Sequence, residues 1–426
     1  MMDTAEVWLW GSRIGIIHQG EGDMVPSFEY DAAFRDSGIQ PAPFKMPLSR
    51  NVFRFPELRD SEAFRGLPGL LADSLPDRFG NSVIDVWLEA RGRPKNSMTA
   101  IERLCYTGKR GMGALEYVPA TYEGRDIDSI DVTELTKMAS AILSGKERYG
   151  YHADDVSTAQ LIDIGSSAGG SRAKAVIAWN ESTGDVRSGQ TPLSADYGQW
   201  LIKFDNIEES GDHGVRDRKQ YTLIEYAYYL MARDLGIDMT ECRILEKDGM
   251  SHFMTRRFDR KDGKKVFVQT LAALRHIDFN EPGLCSYESF AECSRQLGLG
   301  MDAAKEIFRR MAFNAISMNC DDHVKNFSFI MGRDGRWSLS PAYDMTFAYN
   351  PMNRWLKGHQ MTINGKTADI ADEDLISCGG SMGLGKSFCR SVLKDTKDVV
   401  ANWKEYADRV RIDKGTIESI RSCLRV

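Results

Sequence analysis

The run NCDDHVKNFSF, residues 319 to 329, followed by SPAYDM, residues 340 to 345, restricts this chain more than any other stretch. An apolar helical pattern precedes the run and a hairpin pattern follows it. A plain connector between two such elements needs only Gly or Asn. Here Asp321, Asp322, His323, Lys325 and Asn326 crowd one short loop. Asp321 and Asn326 stand in a D-x-x-x-x-N spacing, which by itself is an ordinary turn pattern. Phosphoryl transfer to a hydroxyl needs a carboxylate that orients the hydroxyl and takes its proton, with oxygen ligands for Mg²⁺ close by. Asp321 supplies the first. Asn326 and Asp344 supply the second, since Mg²⁺ prefers hard oxygen donors. His323 alone reads as a hydrogen-bonding histidine, so it takes a positioning or nucleotide-contact role beside Lys325 rather than that of the base.

Three other elements carry weaker signals. The loop GSSAGGS, residues 165 to 171, lets backbone amides approach phosphate oxygens closely. It lacks the G-K-[ST] ending of a P-loop and the strict G-x-G-x-x-G of protein kinases. Lys203 lies in the strand pattern WLIKFD, where Trp200, Ile202 and Phe204 alternate with Leu201, Lys203 and Asp205. Read from that segment alone, the lysine belongs on a solvent face; in context it reaches ATP phosphates. Glu225, inside the apolar helix pattern YTLIEYAYYLMARDLGI (221 to 237), is a surface glutamate or the acidic partner of Lys203. The order of these parts decides between the readings. Glycine loop, strand lysine, helix glutamate, Asp/Asn loop, hairpin and metal-binding Asp follow one another as in protein-kinase-like phosphotransferases.

The rest of the chain is consistent with this order. At 426 residues it exceeds one compact core. VWLWGSRIGII reads as a hairpin opening with Gly11 near its turn. PGLLADSLPDRFGNSVIDVWLEARG reads as helix, break, helix, punctuated by Pro76 and Gly80. ECRILE and SHFMTRRFD are strand patterns, and the polar stretch NIEESGDHGVRDRKQ between strand and helix reads as a mobile loop. DAAKEIFRRMAFNAISMN reads as a helix capped by Asp302, with Phe308, Met311, Ala315 and Met318 on one stripe. The hairpin NFSFIMGRDGRWSLS turns at Asp334 and Gly335, and residues 385 to 426 read as helical.

Composition excludes several classes. The net charge of −6 argues against a broad nucleic-acid face on this chain alone. Eight scattered cysteines without a CxxC pair argue against a zinc site, and with no export signal they fit a reducing cytoplasm. No stretch has the apolar length of a membrane span.

At the residues named above the chain resembles the HipA family of serine/threonine kinase toxins from bacterial type II toxin-antitoxin systems. The matching segments are SSAGGSRAK (166 to 174), WLIKFD (200 to 205), EYAYYLMARDLGI (225 to 237), TRRFDR (255 to 260), NCDDHVKNFSF and SPAYDMTFAY. LLADSLPDRFGNSVID and GKRGMGALEY are similar to that family's N-terminal subdomain. The resemblance implies Asp321 as catalytic base, Asn326 and Asp344 as Mg²⁺ ligands, and Lys203 on the ATP phosphates. It implies a phosphate loop over Gly169, Gly170, Ser171, Arg172 and Lys174. Arg256, Arg257 and Phe258 would form the linker beside adenine, with His323 and Tyr343 near the nucleotide. It implies autophosphorylation of the loop at Ser167, or at Ser166 beside it. It further implies a helix-turn-helix antitoxin of HipB type as partner, DNA contact only through that antitoxin, and a protein substrate of the aminoacyl-tRNA synthetase kind.

The expected architecture is α+β and bilobal, protein-kinase-like. A HipA-type subdomain occupies residues 1 to 120, an N-lobe-like part 121 to 254, and a mostly helical C-lobe 255 to 426. The expected function is an ATP- and Mg²⁺-dependent protein kinase toxin in the cytoplasm. A small-molecule or lipid phosphotransferase, and a catalytically silent co-regulator that binds an antitoxin, stand as alternatives.

Overall fold

A computed structural model describes residues 2–122, 129–144, 161–162, 164–165, 172–190, 194–207 and 220–426. The chain divides into two compact units. One comprises residues 1–219 and 243–268, the other 220–242 and 269–426. The mixture of sheets and helices is the expected α+β class.

The first unit begins with the expected hairpin. Strand β1 (Thr4–Leu9) pairs antiparallel with β2 (Ser12–His18), and Gly11 turns the chain at a φ of 86°. With β3 (Ser27–Tyr30) and β4 (Leu115–Val118) they form a sheet in the order β3-β2-β1-β4. Helices Gly69–Ala72 and Arg78–Glu89 flank the break at Pro76. Gly80 is not part of that break; it lies inside the second helix and is buried there. Helix Ala100–Thr107 starts with a capping box between Thr99 and Glu102, which satisfies two amides at its start.

A second sheet follows, in the order β6-β5-β7-β9-β8, from β5 (Lys174–Trp179), β6 (Val186–Ser188), β7 (Gly198–Lys203), β8 (Cys242–Lys247) and β9 (Met250–Arg256). Ala175, Ile177, Trp200, Ile202 and Met254 share one core with Phe79, Val83 and Ile84 of helix Arg78–Glu89 and with Leu135 and Met138 of helix Val132–Leu143. Helices Arg78–Glu89 and Val132–Leu143 and the second sheet are thus packed through one apolar core.

The second unit is mostly helical. Helix Tyr221–Asp234 ends before Gly236, as its pattern predicts. Its apolar stripe is wider than the sequence suggests: residues on nearly every side, Glu225 included, are buried. This is the signature of a core helix rather than a surface one. Helix Met301–Ser317 is capped by Gly300 without a side-chain bond, and Asp302 sits in its first turn, not at its cap. An acidic residue there still favours the positive end of the helix dipole. Met318 leaves the stripe: it takes a left-handed conformation, φ 60°, and ends the helix. Helices Asp372–Ser381, Lys386–Ala401, Trp403–Arg409 and Lys414–Arg421 complete the unit. Among the described residues no helix is long and apolar enough to cross a membrane.

Candidate active site

The polar loop begins where helix Met301–Ser317 ends. The Tyr228 hydroxyl donates to the Ser317 carbonyl at 2.6 Å, tying that helix end to helix Tyr221–Asp234. The loop then closes on itself. Asn326 N donates to the His323 carbonyl, and Asn326 Nδ2 donates to the Asp321 carbonyl, both at 2.8 Å. The second bond spends the amide's donor end and leaves its oxygen as an acceptor.

A hairpin brings Asp344 back to this loop. Strands Ser328–Met331 and Trp337–Leu339 pair antiparallel and turn through Asp334 and Gly335, as expected. The Tyr343 hydroxyl closes the base of the hairpin, donating to the Lys325 carbonyl at 2.9 Å and sharing a bond with Ser328 Oγ. Ala342 N donates to the Asp238 carbonyl at 2.7 Å, and the buried Arg310 guanidinium donates to the Ser340 carbonyl at 2.9 Å. Asp344 itself adopts φ 54°, a left-handed conformation uncommon outside glycine. A pocket is lined by Asn314, Asn319, Asp322, Asn326, Tyr343 and Asp344, among others. The two residues expected to hold Mg²⁺ therefore share one cavity wall, and Tyr343 stands beside them.

The adjacent aspartates have separate surroundings. Asp322 is 1% exposed and accepts three bonds: from the Tyr287 hydroxyl at 2.8 Å, His359 Nδ1 at 2.9 Å and Gln360 N at 2.7 Å. Asp321 is only half-buried. This difference supports Asp321, not Asp322, as the group available to a substrate. Burial and the nearby Asp322 carboxylate push the Tyr287 hydroxyl well above its ordinary pKa, so it remains a donor. His323 and Lys325 meet through a residue the sequence did not single out. The Phe279 ring lies 5.3 Å from the His323 ring, and the Lys325 ammonium lies 5.0 Å from the Phe279 centroid.

In the first unit, Lys203 is not on a solvent face. It is 2% exposed, and Lys174, directly opposite it across the β5–β7 pair, is 3% exposed. The chain covers this face of the sheet at Lys203 and Lys174, which the alternation in WLIKFD does not reveal. The Lys203 ammonium lies 5.7 Å from the Phe253 ring centroid. Arg172 is described just before β5, whereas Ser166, Ser167, Gly169, Gly170 and Ser171 lie outside the described residues.

The TRRFDR segment divides. Arg256 ends β9 and pairs with Trp200. Arg257 is buried, with Nε and Nη2 donating to Asp259 at 2.8 and 2.7 Å, so its guanidinium serves that carboxylate. Asp259 also accepts from Arg260 Nη1 and from the Gly113 amide, at 2.7 and 2.8 Å. Gly113 meets this bond at φ 75°, which a residue with a side chain rarely adopts. The Arg-x-Asp spacing on extended backbone, which places both side chains on one side, was the available signal for this pair.

Comparison with known proteins matches residues 166–403 to the HipA-like C-terminal domain and residues 5–118 to the HipA N-terminal domain. The chain belongs to the HipA family. Among HipA-like relatives, "Putative kinase Y4dM" of Sinorhizobium fredii is 26% identical over 170 residues, 36% of this chain and 38% of that protein. A "Putative kinase" of Haemophilus influenzae is 27% identical over 225 residues, 44% of this chain and 66% of that protein. The matches thus span less than two thirds of the length of these relatives. The HipA chain of Shewanella oneidensis MR-1, solved with HipB and operator DNA, aligns over 99% of this chain and 96% of its own. Its TM-score is 0.65 at 15% sequence identity. That likeness shows a HipA fold. Glu225, the expected partner of Lys203, lies on the buried helix Tyr221–Asp234 of the second unit, and Phe258 lies between Arg257 and Asp259 in the first.

Proposed function

We propose that this HipA-family chain is an ATP-dependent protein kinase that transfers the γ-phosphate to a serine or threonine hydroxyl. The observation that carries the proposal is the shared pocket of Asn326 and Asp344, beside a loop whose Asp321 is half-buried while the adjacent Asp322 is buried and accepts three bonds from within the chain. Kinase-designated relatives and HipA-family membership support the same reading.

The donor set fits Mg²⁺. A carboxylate and an amide oxygen, with the amide's donor end already occupied, are hard ligands of the kind Mg²⁺ takes alongside water and substrate phosphates. Bound there, the ion would neutralise charge on the phosphate oxygens. Asp321 orients the acceptor hydroxyl and takes its proton. Lys203 and Lys174 supply positive charge for the ATP phosphates from a buried sheet face. His323, Lys325 and Tyr343 contact the nucleotide, with Phe279 holding the first two.

Within this reading the acceptors are a cytoplasmic target protein and the chain's own loop serine, Ser167 or Ser166. The solved HipA relative was captured with HipB and operator DNA. By extension this chain acts as the toxin of such a pair and reaches DNA through a helix-turn-helix antitoxin, in keeping with its net negative charge. The test is incubation of purified protein with Mg-ATP, followed by intact-mass and peptide mass spectrometry. A gain of one phosphate on the 165–171 loop, absent in Asp321→Ala, is expected. Normal ATP binding with no phosphate on the protein or on lysate proteins would overturn the proposal.

A further inference from the structure

Asp322 sits at the centre of a buried polar chain to which the phosphoryl-transfer reading assigns no role, although Asn314, Asn319 and Asp322 line the pocket of Asn326 and Asp344. Asn319 Nδ2 donates to Asn314 Oδ1 at 3.0 Å, and Asn314 Nδ2 donates to the Tyr287 hydroxyl at 2.9 Å. That hydroxyl donates to Asp322, which also receives His359 Nδ1 and Gln360 N. All six residues are buried. The 359–360 end of the chain is fixed by backbone. Gly283 N donates to the Gln360 carbonyl and His359 N to the Thr367 carbonyl, at 2.8 and 2.7 Å. A carboxylate wholly removed from water is tolerable only when its lone pairs are taken up. Here three donors from two different chain segments do so.

Two of those donors come from residues 359 and 360, in the stretch of chain that follows Asp344. Asp322 is covalently adjacent to Asp321. The same carboxylate therefore joins the loop that carries the base to the segment that leaves the metal-binding aspartate. We propose that His359 is a positioning residue for phosphoryl transfer, acting through Asp322 to hold Asp321 in its reactive place relative to Asn326 and Asp344. This rests on the kinase reading and deepens it. A plain core histidine would stabilise the fold without selecting among kinetic parameters. A positioning residue acts on the chemical step, because small displacements of a reacting group are costly to rate.

The test uses the full chain and two variants, His359→Ala and His359→Asn, the latter retaining an amide donor where Nδ1 stood. Two readouts are measured: hydrogen exchange at the Gln360 amide, which donates to Asp322, and steady-state phosphate incorporation. In His359→Ala, exchange at Gln360 and in residues 319–327 rises. kcat falls about tenfold or more while KM for ATP stays within about twofold, the pattern of an interaction that matters in the transition state. His359→Asn restores most of kcat. Unchanged exchange in His359→Ala overturns the tether. Raised exchange with unchanged kcat, or an equal loss in His359→Asn, overturns the positioning role. A wild-type protein that transfers no phosphate overturns the kinase reading and this role with it, and is told apart because the exchange result is then obtained without turnover. Tyr287→Phe, which removes a second donor to Asp322 at little change in volume, repeats the test if His359→Ala fails to fold.

Discussion

Lys174 and Lys203 stand directly opposite each other on antiparallel neighbours, both all but sealed from solvent. Their position puts two positive charges on adjacent strands, which the proposed site for the ATP phosphates would use. Lys203→Met keeps the side chain's bulk and removes its charge. Loss of a hydrogen bond to a charged group costs about 1.5–3 kcal/mol, so ATP affinity should fall roughly ten- to hundredfold. Calorimetric titration with Mg-ATP measures this, and unaltered affinity would remove Lys203 from the nucleotide site.

The Arg257–Asp259–Arg260 cluster should govern stability rather than chemistry. Burial alone would raise the Asp259 carboxyl, but Arg257 and Arg260 beside it, with the Gly113 amide, hold it well below the usual carboxylate range. A carboxyl depressed on folding contributes stability that is full above its unfolded pKa of about 3.9 and is lost progressively as pH falls from there through the lower folded value. Asp259→Ala should therefore destabilise the first unit by about 3–5 kcal/mol, the cost of breaking a buried pair. That loss should be the same at pH 8 and pH 5. Denaturant titration at the two pH values checks both statements, and a loss that shrinks by pH 5 would contradict them.

His252 predicts a pH dependence of its own. It is fully buried, its Nδ1 accepts from Asp205 N at 3.1 Å, and burial pushes its pKa down to about 4 against the opposing pull of Asp205 and Glu246. The unfolded chain binds the proton at about 6.5, so stability falls as pH drops through the window from 6.5 to about 4. The full loss is about 3 kcal/mol, at roughly 1.4 kcal/mol per unit. His252→Asn keeps an acceptor for the Asp205 amide and should flatten the unfolding free energy across that window. A slope equal to that of the wild type would assign the dependence elsewhere.

Phe279 should affect nucleotide use without touching the base. Its ring contacts His323 and faces the Lys325 ammonium. A cation–π contact is worth about 0.5–2 kcal/mol, so Phe279→Leu should raise KM for ATP roughly two- to thirtyfold with little change in melting temperature. A fall in kcat at constant KM would place Phe279 with the chemical step instead.

Much of this arrangement was legible in the sequence because it is local. The loop of Asp321 to Asn326, the turn at Asp334 and Gly335, and the strand patterns around Lys203 depend on spacing and turn chemistry within a few residues. What escaped depends on burial and on partners distant in sequence. Alternation in WLIKFD identifies a strand and, taken alone, puts Lys203 on a solvent face; it does not reveal that the chain covers that face at Lys203, which only the order of the other parts suggested. Asp302 has the chemistry of a cap, yet the helix begins two residues earlier, with Gly300 at the cap. Nothing in the spacing of Asp322, Tyr287 and His359 marks them as one hydrogen-bonded group, since tertiary packing alone brings them together. The resemblance places Arg257 beside adenine, and the spacing alone does not show that its guanidinium is bound to Asp259, two residues on.

The central claim is that Asp321, with Asn326 and Asp344, directs phosphate from ATP onto a protein hydroxyl. Its most direct test is the mass of the purified full-length chain before and after incubation with Mg-ATP, run beside Asp321→Ala. The account predicts phosphate on the wild-type protein, and in the variant a rate lower by about 10²–10⁴-fold with nucleotide binding retained. Equal phosphorylation of the two proteins, or none on either despite bound ATP, would contradict it.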